Sequence, residues 1–140
     1  MGIVIIPILT AIGVQALKLA VDKVKGNLDL KRMWDSYGGM PSSHAAFVFS
    51  LATLAGFQEG FSSVAFSISL VLAILTVRDA MGFRYEIGVH SKILNRLAKE
   101  HPPKEGGNYP HLSERWGHTP AQILVGSLIG IAVGLIAQLF

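Results

Sequence analysis

Apolar residues fall in four long blocks, residues 3–17, 45–57, 61–77 and 120–140, and none of the four contains an Asp, Glu, Lys or Arg. A helix of a soluble bundle keeps a polar stripe toward water, and these blocks have none. At about 1.5 Å per residue the last block is about 30 Å long, enough to cross a hydrocarbon core. The first reaches full length if Lys18 snorkels from its end. The second, at about 20 Å, spans only if its start is recessed inside protein rather than set against lipid. Block 3–17 has the length of a signal-peptide core but lacks the basic leader and the small-x-small cleavage site. The pattern therefore predicts one all-α domain over 1–140, an integral membrane bundle of four transmembrane helices.

Between the third and fourth blocks, Ile87, Leu94 and Leu97 recur at helical spacing with Lys92, Arg96 and Lys99 among them. Residues 85–99 thus read as a helix, lying along the headgroup surface or extending the third helix into the cytosol. Residues 101–111, HPPKEGGNYPH, carry turn residues throughout and read as a loop. In the last block Gly126, Gly130 and Gly134 form a close-packing face, for a neighbouring helix of the bundle or for a second copy of the chain.

Composition narrows the class further. In 140 residues, 51% are hydrophobic and 15% charged, which excludes a disordered chain, a coiled coil and a nucleic-acid-binding tail. The absence of cysteine excludes a disulfide framework, a thiol nucleophile and a thiolate-bound metal. The net charge of +3 matters less than its placement, because all 12 Lys and Arg lie in the two long connections, after the first block and after the third. The short turn between the second and third blocks carries a single charge, Glu59. The positive-inside rule then puts both long connections in the cytoplasm and both termini outside, most simply in the cell membrane. Trp34 and Trp116 read as interfacial anchors.

Alternating helix direction brings four helix ends to the basic face. Lys18 closes the first helix, Gly38-Gly39-Met40-Pro41-Ser42-Ser43-His44 opens the second, Arg78 and Asp79 end the third with Arg84 just beyond, and Gly117-His118-Thr119-Pro120 opens the fourth. Two helix N-termini with unpaired N–H groups, set among cations, make an anion site for which phosphate is the default guest. Two imidazoles there suit phosphoryl transfer, one as nucleophile and one as acid, with no metal or cofactor required. Each piece also has a plainer reading. Thr119-Pro120-Ala121-Gln122 is a capping box, and Ser42 or Ser43 is a helix N-cap. Asp79 pairs with Arg78 or Arg84 as polar groups at membrane depth must, and His90, His101 and His111 read as solvated loop residues.

Gly39 to Ala45, Arg78 to Arg84, Leu94-Asn95 and Gly117 to Pro120, in this order, resemble the divergent branch of the type 2 phosphatidic acid phosphatase superfamily, also labelled acid phosphatase/vanadium-dependent haloperoxidase-related. The resemblance implies a metal-free phosphohistidine mechanism acting on membrane lipid phosphates. It implies that His118 is the nucleophile and His44 the general acid, with Ser42 and Ser43 donating to phosphate. Arg84 or Arg78 would supply the cationic cradle, and Lys18 or Lys25 the first-motif lysine. The chain departs from the pattern in three places. Lys25 and Arg32 keep the Lys-x6-Arg spacing, but Met33 stands where Pro is expected. Leu112 stands where the last motif has an Arg, and Gln122 where it has an acid. An amide oxygen can orient an imidazole but cannot offset imidazolium charge, so Asp79 or Glu114 could substitute. The expected function is hydrolysis of a lipid or isoprenoid phosphate monoester or diphosphate in the cytoplasmic leaflet, with no nucleic-acid partner. The alternative is a non-catalytic headgroup binder, an assembly factor or a transporter-like protein, and a vanadate haloperoxidase comes third.

Overall fold

The computed structural model describes residues 2–24, 39–103, 107–114 and 116–139. The chain runs α1 (Gly2–Val24), α2 (Ser43–Glu59), α3 (Val64–Met81), α4 (Phe83–Glu100) and α5 (Pro120–Ile136), ending in a 3-10 turn (Ala137–Leu139). The fold is all-helical, as the hydrophobic blocks predict. By length and composition three stretches can cross a membrane: α1, α3 as continued by α4, and α5.

The second block is the inner helix. α2, 17 residues long, packs against α1, α3 and α5. Apart from Val48 and Leu54 its buried positions are small (Ala45, Ala46, Ser50, Ala52, Ala55 and Gly56), so neighbouring backbones come close. The glycine stripe of α5 supplies one of these contacts. A Cβ at Gly126 would strike the Ser42 carbonyl, one at Gly130 the Ala46 carbonyl, and one at Gly134 the Thr53 side chain at 2.7 Å. Of the two roles open to that stripe, packing within the chain is therefore the one it performs here. Hydroxyls buried between helices donate to carbonyls one turn back, as in Thr10 to Ile6 and Thr53 to Phe49 (2.8 Å each) and Ser127 to Ile123 (2.9 Å). No polar hydrogen of these groups then faces hydrocarbon.

Several boundaries move from their sequence positions. α1 continues beyond Leu17 to Val24, so Lys18 lies within the helix rather than closing it. α3 starts at Val64 rather than at Phe61, because Gly60 turns the chain at φ 93° and Ser63 caps the helix, accepting from the Phe66 N–H at 3.1 Å. Helix 85–99 is observed as α4, two residues longer at its start and one at its end, and Gly82 separates it from α3. The Gly82 N–H closes α3 on the Arg78 carbonyl at 2.8 Å, and a Cβ there would lie 2.8 Å from that same oxygen. The buried positions of α4 are Gly88, Ser91 and Asn95, while Phe83, Ile87, Leu94 and Leu97 are exposed.

Candidate functional site

The site forms where the start of α2, the end of α3, the start of α5 and the Lys18 turn of α1 converge. Ser42 caps α2, its hydroxyl accepting from the Ala45 N–H at 3.3 Å, and it is 1% exposed. Its own N–H donates to the Gln122 carbonyl at 3.2 Å, which ties the first turns of α2 and α5 together. Two helix N-termini thus open side by side. Gly39, at φ 119°, turns the chain beneath Lys18, and a Cβ on Gly39 would come within 3.1 Å of the Lys18 Nζ. Lys18 is only 8% exposed, and a buried ammonium requires anionic or polar company.

His118 is placed from three directions. Its N–H donates to the Ala80 carbonyl at the end of α3, at 3.1 Å. Gly117 before it adopts φ 86°, and a Cβ there would lie 2.6 Å from the Tyr85 backbone, so only glycine lets the segment lie flat on α4. Farther back, Asn95 clamps the same segment. Its amide nitrogen donates to the Leu112 carbonyl (2.9 Å) and to Glu114 Oε1 (2.8 Å), and its oxygen accepts from the Leu112 N–H (3.0 Å). Gly88 completes the seat, since a Cβ there would lie 2.8 Å from the Trp116 carbonyl.

The imidazole of His118 is 5% exposed and stands edge-on to that of His44, with centroids 6.4 Å apart and planes at 76°. Burial, and then the positive charge of Lys18, the nearby His44 and the Arg84 guanidinium, push its pKa down to about 4. It is therefore neutral near pH 7, with a ring nitrogen carrying a free lone pair. Its Nδ1 is buried and has no hydrogen-bond partner among the described residues. Leaving such a buried polar atom without a partner costs about 1–3 kcal/mol.

The structure brings together His118, His44, Lys18, Arg84, Asp79 and the capped starts of α2 and α5. Arg84 Nε donates to Asp79 Oδ2, so Asp79 pairs with Arg84, the second of its two sequence-level options. Arg84 and Lys18 both act electrostatically on His118, whereas Arg78 is exposed and does not figure among the charges acting there. Ser43, the first residue of α2, is half-buried. Gln122 serves the capping box, its Oε1 accepting from the Thr119 N–H at 3.0 Å while the Thr119 hydroxyl accepts from the Gln122 N–H at 3.4 Å. Glu114 is held by Asn95. Lys25, Arg32 and Arg115 lie outside the described residues. No group of three or more His, Cys, Asp or Glu that could hold a metal ion occurs among the described residues.

Sequence reasoning missed Gly88 and gave no supporting role to Asn95 and Gly117, which it singled out only as motif residues. Gly88 and Asn95 lie seven apart, on one helical face, which is the signal that could have found them. Their role emerges only once the segment beyond residue 106 folds back on α4.

The model of the Divergent PAP2 family matches residues 2–133. The chain is also 34% identical over 116 residues to "Uncharacterized membrane protein YuiD" of Bacillus subtilis (strain 168), an alignment covering 75% of this chain and 73% of that protein. No solved structure matches the chain.

Proposed function

Because this chain belongs to the Divergent PAP2 family of membrane proteins, we propose that it is a metal-independent lipid phosphatase hydrolysing a lipid or isoprenoid phosphate, monoester or diphosphate, through a phosphohistidine. The observation that carries the reading is the buried, neutral His118 facing His44 beside Lys18 and Arg84, at paired helix N-termini. The phosphate oxygens sit among Lys18, Arg84, Ser43 and the positive ends of the α2 and α5 dipoles, where fixed charges and dipoles favour the charge of the transition state.

Nε2 of His118 donates its lone pair to phosphorus, and the bond from phosphorus to the lipid oxygen breaks. His44, as imidazolium, protonates the departing alkoxide; the bound phosphate favours that charged form. Water then attacks phosphorus and gives its proton to His44, the P–N bond breaks, and its electron pair returns to His118. The products are inorganic phosphate and a lipid alcohol from a monoester, or a lipid monophosphate from a diphosphate, whose leaving oxygen is the bridging one. Asp79 steers Arg84 through their ion pair. The basic face is cytoplasmic in this reading, with both termini outside the cell membrane, because the Lys and Arg of the long connections gather there.

A second reading has one observation in its favour. With Gln122 engaged in the capping box, no described acid offsets positive charge on His118, which suits a protein that binds phosphate headgroups without turning them over. Phosphate release by the purified protein in EDTA, over a panel of lipid and prenyl phosphates, separates the two. Turnover that survives chelation and vanishes in His118→Ala and His44→Ala supports the phosphatase. Phosphate or vanadate binding by a folded protein with no release from any substrate supports the binder.

A further inference from the structure

α4 carries three stripes at helical spacing, and each faces different surroundings. Arg84, Gly88, Ser91 and Asn95 turn toward the protein, the last three buried and Arg84 half-buried. Through this stripe one helix holds both sides of the site. Arg84 is paired with Asp79 and acts on His118. The segment that ends in His118 is tied to Asn95 at Leu112 and Glu114, and lies on Gly88 at Trp116 and on Tyr85 at Gly117. Phe83, Ile87, Leu94 and Leu97 form a second stripe, apolar and exposed, with His90 among them. Tyr109 and Leu112 continue it onto the following loop, across an apolar trough beside Leu94 and Leu97. Lys92, Arg96 and Lys99 make the third stripe, exposed on the side opposite the apolar one.

Position and charge say what covers the apolar stripe. α3, at 18 residues or about 27 Å, by itself crosses most of a hydrocarbon core. α4 follows it after the single residue Gly82, on the basic face, and so begins at headgroup level. Among the described helices it packs appreciably on α3 alone, so no other helix covers the stripe. A helix held at that level, apolar on one side and rich in Lys and Arg on the other, is suited to the surface of an anionic bilayer. We infer that α4 docks on an anionic lipid surface and that this docking regulates the site, an inference that rests on the proposed reading of that site. Docked, the apolar stripe is buried in lipid and the cations meet anionic headgroups; undocked, both face water. The bilayer binds the first state better, and so favours the arrangement in which Arg84 and His118 are held together.

The test uses the full chain in bilayers of phosphatidylcholine, alone or with about 30% phosphatidylglycerol. Because the chain has no cysteine, Ile87→Cys, Leu94→Cys and Lys92→Cys each accept one nitroxide label. Labels at 87 and 94 are expected to meet oxygen dissolved in lipid, and the label at 92 a water-soluble nickel chelate, more sharply with the anionic lipid. In the unlabelled chain, vanadate affinity and phosphate release should both rise about fivefold when phosphatidylglycerol is added. The triple variant Lys92→Gln, Arg96→Gln, Lys99→Gln should lose that rise. A rise that survives in the triple variant overturns the role of α4. Labels open to the chelate at all three positions in both bilayers place α4 in water and overturn the docking. Shielding of 87 and 94 from both reagents, with spin–spin broadening, overturns it in favour of a second copy of the chain. Vanadate affinity that follows the anionic lipid, with no phosphate release from any substrate, upholds the docking and sinks the phosphatase reading. Phosphate release that is indifferent to the anionic lipid overturns the docking and leaves the phosphatase reading standing.

Discussion

The side-chain oxygen of Gln122 is bonded to the backbone N–H of Thr119 at 3.0 Å. The same residue therefore does not serve Nδ1 of His118, which lies buried without a partner among the described residues. A glutamate at 122 would keep the capping box and add negative charge at a helix N-terminus close to the imidazole. Gln122→Glu should raise thermal stability in detergent by about 0.5 kcal/mol and raise phosphate release several-fold. Gln122→Ala should cost about 1 kcal/mol through loss of the box. A Gln122→Glu variant with unchanged turnover would separate position 122 from the histidine chemistry.

The pH dependence follows from His118. Its native pKa, about 4, lies below the ordinary 6.5, so the unfolded chain takes up the proton first as pH falls. The neutral histidine's contribution to stability is complete above pH 6.5 and is lost between 6.5 and 4, on the order of 3 kcal/mol. Denaturation between pH 7 and 4 should show this loss in the wild type and a shallower one in His118→Gln. An equal slope in both would place the titrating group elsewhere.

The glycine stripe predicts a reversal of sign. In an open helix Gly→Ala gains about 1 kcal/mol, and Gly13→Ala should do so because its Cβ meets nothing. Gly130→Ala should instead destabilise by about 1–3 kcal/mol, since its Cβ would strike the Ala46 carbonyl. Paired unfolding curves in one detergent would show whether the two substitutions move in opposite directions.

Asn95 holds the segment that ends in His118 through three hydrogen bonds. Asn95→Leu leaves the Leu112 backbone groups without their partner, at about 2–3 kcal/mol. Proteolytic cleavage between residues 103 and 116 should accelerate, and turnover should fall mainly in kcat, with phosphate affinity nearly retained. A loss confined to KM would instead place Asn95 at the substrate.

Charge-free blocks, an all-basic pair of connections and the turn chemistry of Ser42 and Thr119 are local properties, and they were legible without coordinates. They determine an all-helical membrane chain with capped α2 and α5 starts at one end, because burying uncharged helices and capping their N–H groups depend on short stretches of sequence. The assembly of the site depends on contacts between residues far apart in the chain. Only tertiary packing decided that α2 is the inner helix, that the glycines of α5 are used by its carbonyls, and that Asp79 takes Arg84 rather than Arg78. It also decided that Lys18 lies within α1 and is buried, and that Asn95 seats the His118 segment from 17 residues away. These outcomes turn on which surfaces come within a few ångströms of each other, a distance that periodicity and charge counting do not encode.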